Sequence, residues 1–228
     1  MAVIYTDNFD RSDSSSIGSD WTEVLNDTQI HSNKLKNVTS GLIGSVGAVA
    51  TASAASPPSA DYKVSAKVQC ISGTGTNQSA VGVIGRYASS TQFYYARINF
   101  NGDKVQLYKV NPSASLLGEY TGLTFNLDTE YTVMLSMQGS AIKAYAEGVE
   151  RVSVTDTAIT ATGDAGTRVF LDNASGSGSV TSNCVSWDDF SIQTFSEIKK
   201  LASVTQETIK NFISIANTSI KKILLLNN

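Results

Sequence analysis

Tyr62-Lys-Val-Ser-Ala-Lys-Val-Gln-Cys70 makes every second side chain apolar. Tyr62, Val64, Ala66, Val68 and Cys70 fall on one side of an extended chain, and Lys63, Ser65, Lys67 and Gln69 on the other. That is the pattern of a strand with one face in a core and one in water. The same period returns, less strictly, in Lys104-Val-Gln-Leu-Tyr-Lys-Val110, and Gln92-Phe-Tyr-Tyr-Ala-Arg-Ile-Asn-Phe100 before it is aromatic and half-buried in pattern. Asn101-Gly102-Asp103 joins those two runs as a hairpin, Asn-Gly being suited to the positive φ that such turns need. Glu130–Met137 and Ala141–Ala146 flank a second hairpin at Gln138-Gly-Ser140, and Gly148 marks a third before Arg151–Val154. Thr167–Leu171 and Val185–Ile192 complete the set. With weaker runs included, the reading is about ten short strands at spacings near ten residues with no helix between them, which is an antiparallel sandwich.

Composition agrees. The chain has 228 residues, 41% of them apolar and only 16% charged, with a net charge of −3. Its length is enough for one large domain with its own core. No basic field exists to attract nucleic acid. His31 is the only histidine, which argues against His-based zinc sites and His-based acid–base catalysis; in the polar stretch Thr28–Asn33 it reads as a surface or turn residue. The first residues carry no basic, apolar export signal. Leu42–Ala55 is broken by Gly44, Ser45, Gly47, Thr51 and Ser53 and is too short and too weakly apolar to span a membrane. Cys70 and Cys184, far apart in a chain without an export signal, read as two buried thiols.

The order of the motifs resembles the concanavalin A-like (LamG/laminin-G-type) jelly-roll family. The resemblance rests on Asp7-Asn-Phe-Asp-Arg-Ser-Asp13 with Ile17-Gly-Ser-Asp-Trp21, then Val83-Ile-Gly-Arg86 with Gln92-Phe-Tyr-Tyr95 and Lys104–Tyr108. Asp128–Leu135, Ile142–Tyr145 with Gly148, and Trp187-Asp-Asp-Phe-Ser-Ile192 continue it. It implies an all-β, antiparallel two-sheet jelly-roll sandwich of six or seven strands per sheet over residues 1–194, with the termini side by side. It implies little about activity, since the fold carries lectins, hydrolases and scaffolds alike.

Residues 195–228 differ in kind. Five lysines against two glutamates make this segment +3 and leave −6 on the rest. From Ile198 it repeats every eleven residues, Ile209 and Ile220 opening the second and third copies. An eleven-residue apolar period fits a weakly right-handed coiled coil. The many β-branched, Ser and Asn residues fit strands or an extended form instead, and both remain open. Either way Ile198, Leu201, Ile209, Phe212, Ile213, Ile220 and Ile223 form an apolar stripe that calls for a partner: the chain's own body, a second copy, or another protein. The pairing of an Asp-Asn-Phe jelly roll with Ile-Lys-Lys repeats resembles bacteriophage virion structural proteins.

Catalytic signatures are missing. The hydrolases that the family contains resemble one another in a Glu-x-Asp-x-Glu run, which places nucleophile and acid on one strand face. No such run occurs. Glu147 and Glu150 straddle a turn, and Asp188 and Asp189 are sequence neighbours that point to opposite faces. No nucleophile elbow, phosphate loop or dinucleotide fingerprint is present. No motif requires a cofactor. Calcium is the inorganic ligand that the resemblance allows, with Asp7 and Asp189 as the terminal carboxylates that would converge if the end strands pair; turn-capping by Asp7 is the alternative. A contact face is the remaining candidate. Tyr95, Arg97 and Asn99 alternate onto one side, and Arg86 and Tyr108 join them from neighbouring strands, either as a glycan or protein patch or as Arg–Tyr stacking on a solvent-facing sheet.

The leading expectation is therefore a non-enzymatic phage virion protein, a capsid decoration, head fibre or tail appendage, self-associated or attached to other virion proteins through its tail. The alternative is a lectin-like module for cell-surface glycan on the Arg86/Tyr95/Arg97/Tyr108 face. Neither nucleic acid nor membrane is an expected partner.

Overall fold

The computed structural model describes residues 2–25, 28–37, 45–72, 79–171 and 184–195. Ala2–Thr194 forms one unit by its contacts. The expected assembly tail, with Ile198, Leu201, Ile209, Phe212, Ile213, Ile220 and Ile223, lies outside the described residues.

Fifteen strands occur among the described residues, and no helix. They are β1 (Val3–Asp7), β2 (Thr22–Leu25), β3 (Thr28–Ile30), β4 (Leu35–Asn37), β5 (Ser45–Thr51), β6 (Tyr62–Ile71), β7 (Ser79–Ser89) and β8 (Gln92–Asn99). After them come β9 (Lys104–Val110), β10 (Ala114–Tyr120), β11 (Glu130–Gln138), β12 (Ala141–Ala146), β13 (Val149–Thr155), β14 (Asp164–Leu171) and β15 (Cys184–Thr194). The count exceeds the expected ten in part because β2, β3 and β4 are only three or four residues long, too short to display a period.

All pairings are antiparallel and form two sheets. One runs β13-β12-β11-β6-β15-β4-β3, with β1 also paired to β15; the other runs β10-β9-β8-β7-β14-β5-β2. The free side of β15 is shared: β4 takes Val185–Trp187 and β1 takes Phe190–Gln193. A bulge between those halves, with Asp189 at φ 47°, lets one strand serve both partners. The described ends therefore lie side by side, and Thr194 N–H donates to Ala2 O at 2.9 Å.

The two-residue period of Tyr62–Cys70 is realised in β6, which alternates buried and half-buried residues at every step. Its buried face, with Val133, Leu135, Ile142 and Ile192 of the same sheet, packs on Val81, Val83, Tyr94, Ala96, Ile98, Val105 and Leu107 of the other. Trp187 is wholly buried, and its Nε1–H donates to Gly82 O at 2.9 Å, tying β15 to β7 across the core. At the end strands Trp21 lies edge-on to Phe190 at 4.9 Å. Fully burying aromatic side chains of this size contributes on the order of 2–3 kcal/mol each.

The three expected hairpins form. Glu147 and Gly148 both take positive φ, as a type I′ turn requires. Between β8 and β9 the positive φ falls on Asp103 (51°), not on Asn101 or Gly102. Asn99 Oδ1 holds that turn by accepting from the amides of Asn101 and Gly102. Cys70 and Cys184 are buried and not joined in a disulfide. Cys70 lies opposite Val185 and Cys184 opposite Ile71, so the two thiols face opposite sides of the sheet. No described helix is long and apolar enough to cross a membrane.

Candidate functional site

On the outward face of the seven-stranded sheet, the side chains of β8 are buried. β8 shows little alternation: Tyr94, Ala96 and Ile98 face the core, yet Phe93, Tyr95, Arg97 and Asn99 on the other side are also buried. Ile84, Phe93, Tyr95 and Val110 form a second apolar cluster there, flanked by Val24, Tyr87 and Tyr108.

Strand register explains what sits on this face. Across three strands Arg168 on β14 is opposite Gly82 on β7, which is opposite Arg97 on β8. The two arginines are two strands or about 10 Å apart at the backbone, on either side of Gly82, which has no side chain. Tyr95 is the floor. It is 2% exposed, and its hydroxyl lies 2.8 Å from Ala80 O and 2.9 Å from Arg168 O, within donating distance of either. Both guanidiniums lie over its ring, Arg97 at 5.6 Å and Arg168 at 5.3 Å from the centroid. Arg97 is also 4.2 Å from the Tyr108 ring centroid and 5.3 Å from that of Phe170, while Arg168 is 4.5 Å from that of Phe93. Together with Asn99, Lys104 and Gln106 these groups enclose a cavity of about 390 Å³.

A polar relay leads outward from Arg97. Its Nε–H donates to Gln106 Oε1 at 2.9 Å; Gln106 Nε2 donates to Glu119 at 3.0 Å; Lys104 Nζ bonds the same carboxylate at 3.0 Å. The hydrogen bond from Gln106, then that from Lys104, hold the Glu119 carboxyl below its usual pKa.

The structure thus brings together Tyr95, Arg97 and Tyr108, but not Arg86. By strand parity Arg86 belongs beside Ile84 on the outer face. Instead its φ is 48°, the register of β7 against β8 slips after Gly85, and the side chain turns inward. There it is 1% exposed and donates to the carbonyls of Ala60, Ile159 and Gly139. Arg86 is a buried strut, not a contact residue. Tyr95, too, is covered by the arginines and offers no open platform; Tyr108 is half-buried, with the Arg97 guanidinium against its ring. Arg168 has only a weak local signal, its alternation with core-facing Val169 in Thr167–Leu171. Only long-range pairing places that run against β7.

Asp7 and Asp189 border one depression with Thr6, Asn8, Phe190 and Ser191, as pairing of the end strands requires. Their donors do not fit a calcium ion. Asp7 Oδ1 accepts from Phe9 N–H and Arg11, and Oδ2 from Arg11 and Trp21 Nε1. Asp189 pairs with Lys67 at 2.7 Å. Among the described residues no three His, Cys, Asp or Glu side chains gather at metal-binding range. Three other acidic groups are also committed. Glu150 binds Lys143 and Tyr145, Glu147 accepts from Thr132 N–H, and His31 pairs with Asp13 at 2.7 Å.

Fold and site together define a class: an all-β, two-sheet jelly-roll sandwich with an arginine- and aromatic-lined cavity on one outer face. Solved structures share this shape. The carbohydrate-binding module CBM66 from Bacillus subtilis superposes with a TM-score of 0.61 at 15% identity, over 77% of this chain and 96% of its own. The catalytic domain of an endo-1,3-beta-glucanase (laminarinase) from Thermotoga petrophila RKU-1 gives 0.58 at 8% identity, over 86% and 98%. A Bacillus subtilis protein with a galectin-like fold gives 0.57 at 12% identity, over 85% and 96%. No protein-family model and no curated protein matches the chain by sequence.

Proposed function

We propose that the chain is a non-catalytic carbohydrate-binding module that takes glycan in the Arg97–Tyr108 cavity. The observation that carries this reading is the cavity itself. An aromatic ring, a buried guanidinium and two planar amides converge in a volume within the roughly 300–1,000 Å³ of small-molecule sites. Sugars are held by such mixtures of ring faces and planar polar groups. The jelly-roll neighbours include a carbohydrate-binding module, which supports the reading as far as a shared fold does. No carboxylate lines the cavity, so the acid–nucleophile pair of glycoside hydrolysis has no residues there. A place on a phage virion depends on the tail beyond the described residues, and nothing in the jelly roll adds to it.

The test is calorimetric titration with neutral glycans (laminarin, levan, xylan) and acidic ones (polygalacturonate, alginate, hyaluronan). At least one should bind, and Tyr108→Ala and Arg97→Gln should each abolish that binding while circular dichroism stays unchanged. Binding retained in both folded variants would move the site elsewhere; no binding to any of the six would remove the reading.

A further inference from the structure

Resting on that reading, we propose that the glycan is acidic, a uronic-acid-bearing chain whose carboxylate is clamped between Arg97 and Arg168. Three cations line the cavity (Arg97, Lys104 and Arg168), and no carboxylate does. Lys104 is neutralised by Glu119 at 3.0 Å. Among the described residues neither Arg97 nor Arg168 has a carboxylate partner. Arg97 spends one N–H on Gln106. Arg168 is only 8% exposed, and its Nε has no hydrogen-bond partner at all.

Two guanidiniums so nearly buried repel one another and lose hydration, a cost that ring faces offset only in part. Burial first, and the Arg97 charge as well, pull the Arg168 pKa below the usual arginine value. An anion arriving between them would supply the missing charge and acceptors together. Both guanidiniums lie over the Tyr95 ring and line one cavity with it. A planar carboxylate suits the fork of a guanidinium. Tyr108, half-buried and stacked against Arg97, lines the same cavity and would flank the sugar that carries it. Arg86 shows the contrast: an arginine buried for structure has a backbone carbonyl for each guanidinium nitrogen, whereas Arg168 does not.

The experiment uses the full chain with polygalacturonate, alginate and hyaluronan, each beside its carboxyl-esterified form, which keeps the sugar and removes the charge. At least one polyuronate should bind roughly tenfold or more tighter than its ester, as expected for a hydrogen-bonded charge, and weaken as salt rises. Arg168→Gln should erase that preference, whereas Arg168→Lys, which keeps the charge, should retain part of it. Thermal melting of both variants confirms folding. Equal affinity for acid and ester, or an unchanged preference in folded Arg168→Gln, overturns the inference. Binding of laminarin, levan or xylan without any polyuronate overturns it too, while leaving the carbohydrate-binding reading standing. Silence across all glycans ends both.

Discussion

The hydroxyl of Tyr62, on β6 of one sheet, accepts the backbone N–H of Arg86, on β7 of the other. The same hydroxyl lies 2.9 Å from Gly163 O and 3.1 Å from Asp164 O. One side chain thus caps the backbone where β7 leaves its register and Arg86 turns inward. Burial, above all, raises the Tyr62 pKa well beyond the ordinary phenol value, so the hydroxyl stays a neutral donor and acceptor. Removing it in Tyr62→Phe leaves the buried Arg86 amide unpaired, which costs about 1–3 kcal/mol. Urea unfolding should show that loss as a lower midpoint at unchanged slope; an unchanged midpoint would mean that the tie carries no stability.

Gly82 and Gly139 should respond differently to alanine. A Cβ at Gly82 would lie 2.0 Å from Ala96 O and 2.7 Å from Arg97 Cα, both backbone atoms that cannot swing away. At Gly139 nothing lies within 4 Å, and only the positive φ of 56° resists. We expect Gly139→Ala to cost about 1–2 kcal/mol of left-handed strain and Gly82→Ala to exceed about 3 kcal/mol or prevent folding. Equal melting temperatures for the two variants would contradict the strand placement.

The thiols should be inert in the folded chain. Cys70 and Cys184 face opposite sides of their sheet, and burial pushes the Cys184 thiol up to about 11, far above neutral pH. A thiol-reactive dye should label neither residue at pH 8 within minutes and both in denaturant. Reductant should leave the melting temperature unchanged, since there is no disulfide to break.

Acid should destabilise the sandwich through Asp7 and Asp156. Burial by itself would raise both pKa values. For Asp7 the Arg11, Phe9 and Trp21 hydrogen bonds outweigh it, and for Asp156 those of Lys109, Tyr94 and Ala158, so both carboxyls sit below the ordinary 3.8. A depressed folded pKa adds stability that is present above the unfolded value and lost as pH falls through the folded one. The loss therefore starts below about pH 4 and grows downward. Asp156→Asn should be less stable than the parent at pH 7, with the gap closing toward pH 2; a gap independent of pH would refute the mechanism. Asp188 acts in reverse. Burial, with the Asp189 charge, raises its pKa, so Asp188→Asn should stabilise at neutral pH.

Much of the fold is written locally. The two-residue period of Tyr62–Cys70 requires a strand with one buried face, because successive side chains of an extended backbone must point opposite ways. The hairpins at Gly139 and Gly148 follow from residues that tolerate positive φ. The burial of Trp21 and Trp187 follows from their size among polar neighbours. Tyr95, Arg97 and Tyr108 could be assigned one face because hairpin register carries parity from β8 to β9.

The site's decisive features are not local. Arg86 has outward parity, and only a backbone slip in β7, stabilised by Tyr62 from the opposite sheet, turns it inside. Arg168 stands more than seventy positions beyond Tyr95 in the chain, and nothing in its own strand says that it will lie across Gly82 from Arg97. Sequence alone therefore determines strands, turns and the face of each residue within a hairpin, since these depend on neighbours along the backbone. Tertiary structure decides which faces meet, which charges are left without partners, and where a cavity opens, because those depend on pairing between segments that the chain brings together only on folding.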